Sequence, residues 1–180
     1  KRQPFFDSIK EKTGDDVSQM TKKNLQDYCK EKNITINKTM GKGKLWDAIF
    51  GEFCEKELIQ PTYITDYPSE MSPLSKKHRT KRGLTERFEL FINGKEIANA
   101  YSEQNNPIKQ KESFEEQMLL GEKGDDEAMV IDKQFLTALE YGMPPTSGIG
   151  IGMDRLTMLL TNKTTIQDVL FFPQMKPEKQ

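Results

Sequence analysis

Glu89 and Glu96 stand on either side of Asn93-Gly94, and Asn99, Tyr101 and Glu103 follow at alternate positions. An Asn-Gly pair between apolar-rich runs is a strong type I′ hairpin signal, so Arg87–Tyr101 is expected to fold as two paired strands. With Asn93 and Gly94 as the loop, Ile92 faces Lys95, Phe91 faces Glu96 and Glu89 faces Ala98. Glu89 and Glu96 are then diagonal neighbours on one face, close enough to interact. Carboxylates held so close repel unless a cation lies between them. Magnesium would serve, since it commonly takes one or two carboxylates together with nucleotide phosphates. A surface lysine or arginine beside each glutamate would serve as well.

Asn99, Tyr101 and Glu103 share a face by alternation. An amide, an aromatic wall and a carboxylate suit an ammonium on an aliphatic stem, through a hydrogen bond, a cation–π contact and an ion pair. An ordinary sheet edge carries the same residue types. Strict alternation sets Glu96 on the face opposite Asn99, Tyr101 and Glu103. If all of them line one site, the second strand must carry a bulge between Glu96 and Asn99, where Ala98 is small enough to permit it.

The third group is Ser147–Leu160, read as Ser-Gly-Ile-Gly-Ile-Gly-Met-Asp-Arg-Leu-Thr-Met-Leu-Leu. Gly148, Gly150 and Gly152 alternate with Ile149 and Ile151, a strand with one face stripped of side chains, on which a flat ligand or another backbone can lie. Met153, Leu156, Leu159 and Leu160 then recur at helical spacing, so a helix begins near Gly152 with Arg155 in its first turn. A cation there opposes the helix dipole at a cost of roughly 0.3–1 kcal/mol, part of which Asp154 can offset. Arg155 could reach over the glycines to a phosphate, or pair with Asp154 at the surface. The stretch is neither a P-loop, which needs Gly-Lys-Ser/Thr, nor a Rossmann fingerprint, whose third glycine would stand at Met153.

The elements that position these groups are legible from pattern. Lys1–Gln60 reads as helical. Pro4-Phe5-Phe6-Asp7 opens a helix that Gly14 ends, Thr21 caps another with Leu25, Tyr28 and Cys29 on one face, and Leu45, Trp46, Ile49, Phe50 and Phe53 form the clearest amphipathic helix. Thr62–Thr65 is strand-like, and Met71–Leu74 an extended linker. Ser113-Phe114-Glu115-Glu116 reads as a capping box within or opening a helix, with Gly121 or Gly124 closing it. Asp132 caps a helix stopped by Gly142, and Thr164–Phe172 is expected to hold a short helix and a strand. The cluster Lys76, Lys77, His78, Arg79, Lys81 and Arg82 could meet the acceptor end of an RNA or form a solvated loop.

At 180 residues and 34% hydrophobic, the chain can bury one modest core. With 27 basic against 28 acidic residues, no whole-surface attraction to nucleic acid is implied. No apolar run has the length of a membrane span. Cys29 and Cys54, too few for a metal cluster, read as reduced core thiols of a cytoplasmic protein. The first residue, Lys1, is what a piece of a longer polypeptide would show.

Gly-Ile-Gly-Ile-Gly-Met-Asp-Arg-Leu resembles motif 3 of the class II aminoacyl-tRNA synthetases, a glycine strand followed by a helix whose arginine contacts the ATP γ-phosphate. Leu84–Tyr101 and Ser102–Pro107 resemble the lysyl members of that class, and the likeness spans most of Gln60–Pro177. The family pattern Ser-Glu-Leu-Asn-Asp-Pro is altered here at Gln104 and Asn106. Asp125-Asp126-Glu127-Ala128 resembles a further family segment.

The resemblance implies ATP-dependent activation of lysine and its transfer to tRNA(Lys), in the cytoplasm, by a homodimer. Glu89 and Glu96 would hold Mg2+. Glu89, Leu90, Gly152 and Arg155 would bind ATP, with Leu90 beside the nucleoside and Arg155 on the γ-phosphate. Asn99, Tyr101, Glu103 and Gly150 would bind lysine, Glu103 taking the ε-ammonium. An acidic amino acid fits poorly against Glu103. The resemblance implies an α+β fold, a mainly antiparallel sheet backed by helices. Residues 1–56 would be a helical insertion outside it, and 57–180 the C-terminal part of the catalytic domain. Motif 1, motif 2 and an anticodon-binding domain are not found between Lys1 and Gln180, so the chain alone is expected to be inactive. A paralogue that lysylates a protein, and a non-catalytic binding module on the same fold, remain as alternatives.

Overall fold

The computed structural model describes residues 1–122 and 130–174. It has an α+β fold built on a five-stranded sheet in the order β1-β2-β3-β4-β5. The strands are β1 (Arg2–Pro4), β2 (Thr62–Thr65), β3 (Arg87–Ile92), β4 (Lys95–Ser102) and β5 (Ser147–Ile151). The helices are α1 (Phe5–Thr13), α2 (Lys22–Glu31), α3 (Lys42–Phe53), α4 (Pro107–Gly121), α5 (Lys133–Glu140) and α6 (Met153–Leu160). The pairings from β2 to β5 are antiparallel, whereas β1 runs parallel to β2. That strand corrects the reading of Lys1–Gln60 as helical throughout. Three residues are too short to show alternation, and β1 is held by partners far along the chain: Tyr63 N–H donates to Lys1 O at 2.9 Å.

The capping residues act as their types dictate. Gly14 ends α1 in the left-handed region at φ 80°. Thr21 accepts from Asn24 N–H, and Asp132 from Phe135 N–H. Asn93 and Gly94 both have positive φ, at 54° and 66°, as a type I′ turn requires.

Of the two readings of Ser113–Glu116 the structure takes the inner one: it lies inside α4, whose cap is Asn106, accepting from Ile108 and Lys109 N–H with Pro107 in the first turn. Elsewhere the sequence signals misplace boundaries. Met71 closes a 3-10 turn from Ser69, so the linker is not extended throughout. Thr164–Phe172 holds only a 3-10 turn, Ile166–Asp168. On α6 the buried residue is Met158, while Met153, Leu159 and Leu160 of the expected stripe are exposed. Asp125–Ala128 and Gly124 lie outside the described residues.

One core joins the N-terminal helices to the sheet. Phe5, Ile9, Leu25, Leu45, Trp46, Ile49 and Phe50 pack with Ile64, Tyr67 and Phe91. Trp46 Nε1–H, which would be orphaned inside, donates to Val17 O at 3.0 Å. Phe5 is the joint, its ring 5.0 Å from both Phe50 and Tyr67. Ile64 and Phe91 are buried while Tyr63 between them in register is half exposed, so α1 and α3 cover one end of a single sheet face. The rest of that face, over β3, β4 and β5, is open.

Phe5→Ala removes a fully buried ring at this joint. It is expected to cost about 3–5 kcal/mol in urea unfolding, the usual range for Phe→Ala in a core.

Candidate active site

The open face is assembled by a bulge. Ile92 pairs with Lys95 and Phe91 with Glu96, as the turn dictates, but Leu90 then pairs with Ala98 and Glu89 with Asn99. Ile97 is the extra residue, lying between Glu96 and Asn99 where the geometry requires it. It corrects the expected pairing of Glu89 with Ala98. Ile97 itself is buried, 4% exposed, among residues that include Met158 of α6. Because of the bulge, Glu96 stays on the face of Phe91 and Glu89, and Asn99 joins them. Successive rows across the sheet then read Glu89–Asn99–Gly150 and Arg87–Tyr101–Gly148.

At one end of the face Glu103 lies against bare backbone. A Cβ at Gly148 would collide with Glu103 Oε1, so a side chain there would displace the Glu103 carboxylate from its present place. Gly150 has nothing closer to a would-be Cβ than Asn99 O at 3.9 Å. Its missing side chain therefore leaves space above the strand. Glu103 is half-buried, and burial raises its carboxyl above the ordinary 4.5. No described side chain pairs with it. Desolvation without a counter-ion disfavours the charged carboxylate, the state that a cation would favour.

In the middle of the face Arg87 Nε–H donates to Asn99 Oδ1 at 3.1 Å. A guanidinium only donates, so the amide turns its oxygen to Arg87 and its NH2 to the open side. Asn99 thus offers donors, suited to a carboxylate or phosphate oxygen rather than to an ammonium. Glu89 is held by Arg87 and by Tyr67, whose hydroxyl donates to Oε2 at 2.6 Å. Burial, together with the Glu89 charge, lifts the Tyr67 phenol well above 10, so it remains a donor at neutral pH.

At the other end Arg155 Nη1 donates to Glu96 O at 2.8 Å and lies 3.6 Å from Glu96 Oε2. Its partner is therefore Glu96 rather than Asp154. Gly152 N–H meets Ile97 O at 2.9 Å, so the two carbonyls beside the bulge are both taken by the start of α6. Burial and the neighbouring Glu89 charge raise the Glu96 carboxyl, and Arg155 only partly opposes this. Glu55, just after α3, is raised first by burial and then by Asp47, Glu89 and Glu96. Glu96 and Glu55 are thus held short of positive charge, whereas Glu89 has Arg87 as its partner. No group of three or more potential metal ligands gathers among the described residues.

Glu96, Asn99, Gly150, Gly152 and Arg155 line one hollow of about 350 Å3. Glu89 opens instead into an adjoining cleft of about 600 Å3 below α3, with Arg87, Lys42 and Glu70. Tyr101 lines a third concavity with Arg87 and Ser147. Leu90 is not on this face. It pairs with Tyr63 and Ala98, so its side chain projects from the opposite side and only its backbone remains available to a nucleoside. Residues that sequence reasoning missed are Arg87, Tyr67 and Glu55. Arg87 carried a signal, its period-two spacing with Glu89, whereas Tyr67 and Glu55 reach the site through tertiary packing. The basic cluster is largely paired: Arg79 with Glu86, and Lys81 and His78 with Asp66.

A glycine-floored strand running into a helix whose first turn carries an arginine, beside paired carboxylates on an antiparallel hairpin, is the frame of a class II synthetase catalytic sheet. The profile of the family described as tRNA synthetases class II (D, K and N) matches residues 4–176, and the chain belongs to that family. It is similar to the lysine–tRNA ligase of Porphyromonas gingivalis, 65% identical over 179 residues that cover 99% of this chain and 31% of that protein. The lysine–tRNA ligase of Christiangramia forsetii is 64% identical over 180 residues, 100% of this chain and 32% of that protein. That of Azobacteroides pseudotrichonymphae is 59% identical over 179 residues, 99% of this chain and 36% of that protein. The chain thus spans about a third of the length of these relatives.

Glu103 makes a testable contribution to stability. Its raised value means that the folded state binds the proton more tightly than the unfolded chain does. That stabilisation is complete below the ordinary value and is lost as pH rises through the raised one. Glu103→Gln is therefore expected to raise the urea midpoint at pH 7, the gain vanishing on acidification to about pH 4.

Proposed function

We propose that this chain is the C-terminal part of the catalytic domain of a lysine–tRNA ligase, which activates lysine with ATP and passes it to tRNA(Lys). The observation that carries the reading is the polarity of the open face. An uncompensated carboxylate, Glu103, stands over bare glycine backbone at one end. An arginine and two glutamates suited to a nucleotide and its metal stand at the other. Lysine would lie between them, its ε-ammonium on Glu103 and its stem along Tyr101 and Gly150. Its α-carboxylate would meet the donors that Arg87 turns outward on Asn99.

That orientation delivers the carboxylate to the nucleotide end. An oxygen of the carboxylate bonds to the α-phosphorus of ATP, the bond to the bridging oxygen of the β-phosphate breaks, and pyrophosphate leaves. Such a displacement needs positioning and charge neutralisation more than proton transfer. Arg155 would leave Glu96 for the γ-phosphate. Their side-chain pair is half-exposed and weak, and with it Arg155 would give up its hydrogen bond to the Glu96 carbonyl. Gly152 keeps the approach to the nucleotide open. Glu89 and Glu96 would hold Mg2+, which when bound neutralises charge on the phosphates. The 59–65% identity to lysine–tRNA ligases supports lysine over the acidic and amide substrates that the family description also covers. Glu103 supports the same choice, because a half-buried carboxylate repels aspartate. A homodimer, tRNA(Lys) as acceptor and a cytoplasmic setting go with the reading.

Pyrophosphate exchange into ATP, driven by a panel of amino acids and catalysed by the full-length polypeptide, tests it. Lysine alone is expected to support exchange, and Glu103→Gln to reduce it about 10- to 100-fold, the worth of a charged hydrogen bond. The 180-residue chain by itself is expected to give none. Exchange driven equally by asparagine or aspartate, or unchanged by Glu103→Gln, would refute the assignment.

A further inference from the structure

We propose that Arg87 and Tyr67 are positioning residues, a clamp that sets the Glu89 carboxylate and the Asn99 amide in their working orientations before any ligand arrives. The proposal rests on the reading of Glu89 and Asn99 as parts of an amino-acid-activating site, and adds what holds them.

Every nitrogen of the Arg87 guanidinium is engaged. Nε donates to Asn99 Oδ1 at 3.1 Å, Nη1 to Met71 O at 2.8 Å and Ser72 Oγ at 2.9 Å, and Nη2 to Glu89 Oε1. One planar group thereby ties its own strand to β4 and to the loop that closes the adjoining cleft. A lysine, a point charge on a flexible stem, cannot reproduce that fork. The Arg87 and Glu89 side chains are only 14% and 13% exposed, so their pair is shielded and geometrically defined.

Tyr67 completes the clamp from beneath. Its ring lies 4.6 Å from the Arg87 guanidinium carbon and 5.0 Å from Phe5. Its hydroxyl takes the second Glu89 oxygen, at 2.6 Å. An ionised carboxylate has about four acceptor positions. Arg87 and Tyr67 use one on each oxygen and leave one on each for a cation. The ring anchors the carboxylate to the hydrophobic core, so Glu89 is fixed from a part of the protein that ligands do not reach.

The two residues make separable contributions. Tyr67 touches Glu89 and not Asn99, whereas Arg87 touches both. In the full-length polypeptide, Tyr67→Phe keeps the ring and its packing, and removes one donor. It is expected to weaken Mn2+ binding about 10- to 100-fold, the usual consequence of losing a carboxylate's outer partner. The measurement is electron paramagnetic resonance titration with a non-hydrolysable ATP analogue and no lysine. The KM for lysine in pyrophosphate exchange should stay within about twofold. Arg87→Lys is expected to weaken Mn2+ binding and raise the KM for lysine together. A residue with a merely structural role would lower the melting temperature without that split. Unchanged Mn2+ affinity in Tyr67→Phe, or a lysine KM that rises as much in Tyr67→Phe as in Arg87→Lys, overturns the clamp. If the unsubstituted protein binds Mn2+ but gives no lysine-driven exchange, the functional reading fails instead. The clamp then stands or falls on the Tyr67→Phe titration.

Discussion

The structure depends on one irregularity, the bulge at Ile97. A hairpin closed by Asn93-Gly94 fixes Phe91 opposite Glu96. Without an extra residue the alternation that follows would turn Asn99, Tyr101 and Glu103 to the face that Glu96 does not share. The bulge is stabilised on both sides. The Ile97 side chain is buried against α6, and the carbonyls of Glu96 and Ile97 are taken by Arg155 and Gly152. The glycine strand and its helix therefore do more than floor the face. They hold the irregularity that makes one face out of two.

Charge on that face is distributed as a site in waiting. Glu103 has no counter-ion among the described residues, Glu96 is raised by burial and by Glu89, and Glu55 adds a third carboxylate nearby. Arg155 answers Glu96 through a half-exposed pair, and the Arg87 charge adds to it. A protein selected for stability alone would not keep these carboxylates, since each costs free energy in the empty state. The core that offsets this cost includes the aromatic joint of Phe5, Phe50, Tyr67 and Phe91, which also buttresses Glu89 through the Tyr67 hydroxyl.

Much of this was legible in the sequence because it is local. Asn93-Gly94 defines the turn, Thr21 and Asp132 cap their helices, and alternation alone demands a bulge if Glu89, Glu96 and Glu103 are to act together. Leu90 shows the same rule neglected: it adjoins Glu89, so a strand must send its side chain the other way. What could not be read is non-local. Arg2–Pro4 is a strand only because β2 lies beside it, and Tyr67 reaches Glu89 only because both sit over the same core. Asn106 was legible and overlooked. It precedes Pro107, a favoured first-turn residue, and so outranks Ser113 as the start of α4.

The most direct test of the account is a crystal structure of the full-length polypeptide with lysine and a non-hydrolysable ATP analogue. The lysine ε-ammonium should lie within hydrogen-bond reach of Glu103, over Gly148 and Gly150. The α-carboxylate should meet the Asn99 amide, and Arg155 should have left Glu96 for the terminal phosphate. Lysine bound in the reverse sense or off this face, or Arg155 still seated on Glu96 with nucleotide present, would contradict it.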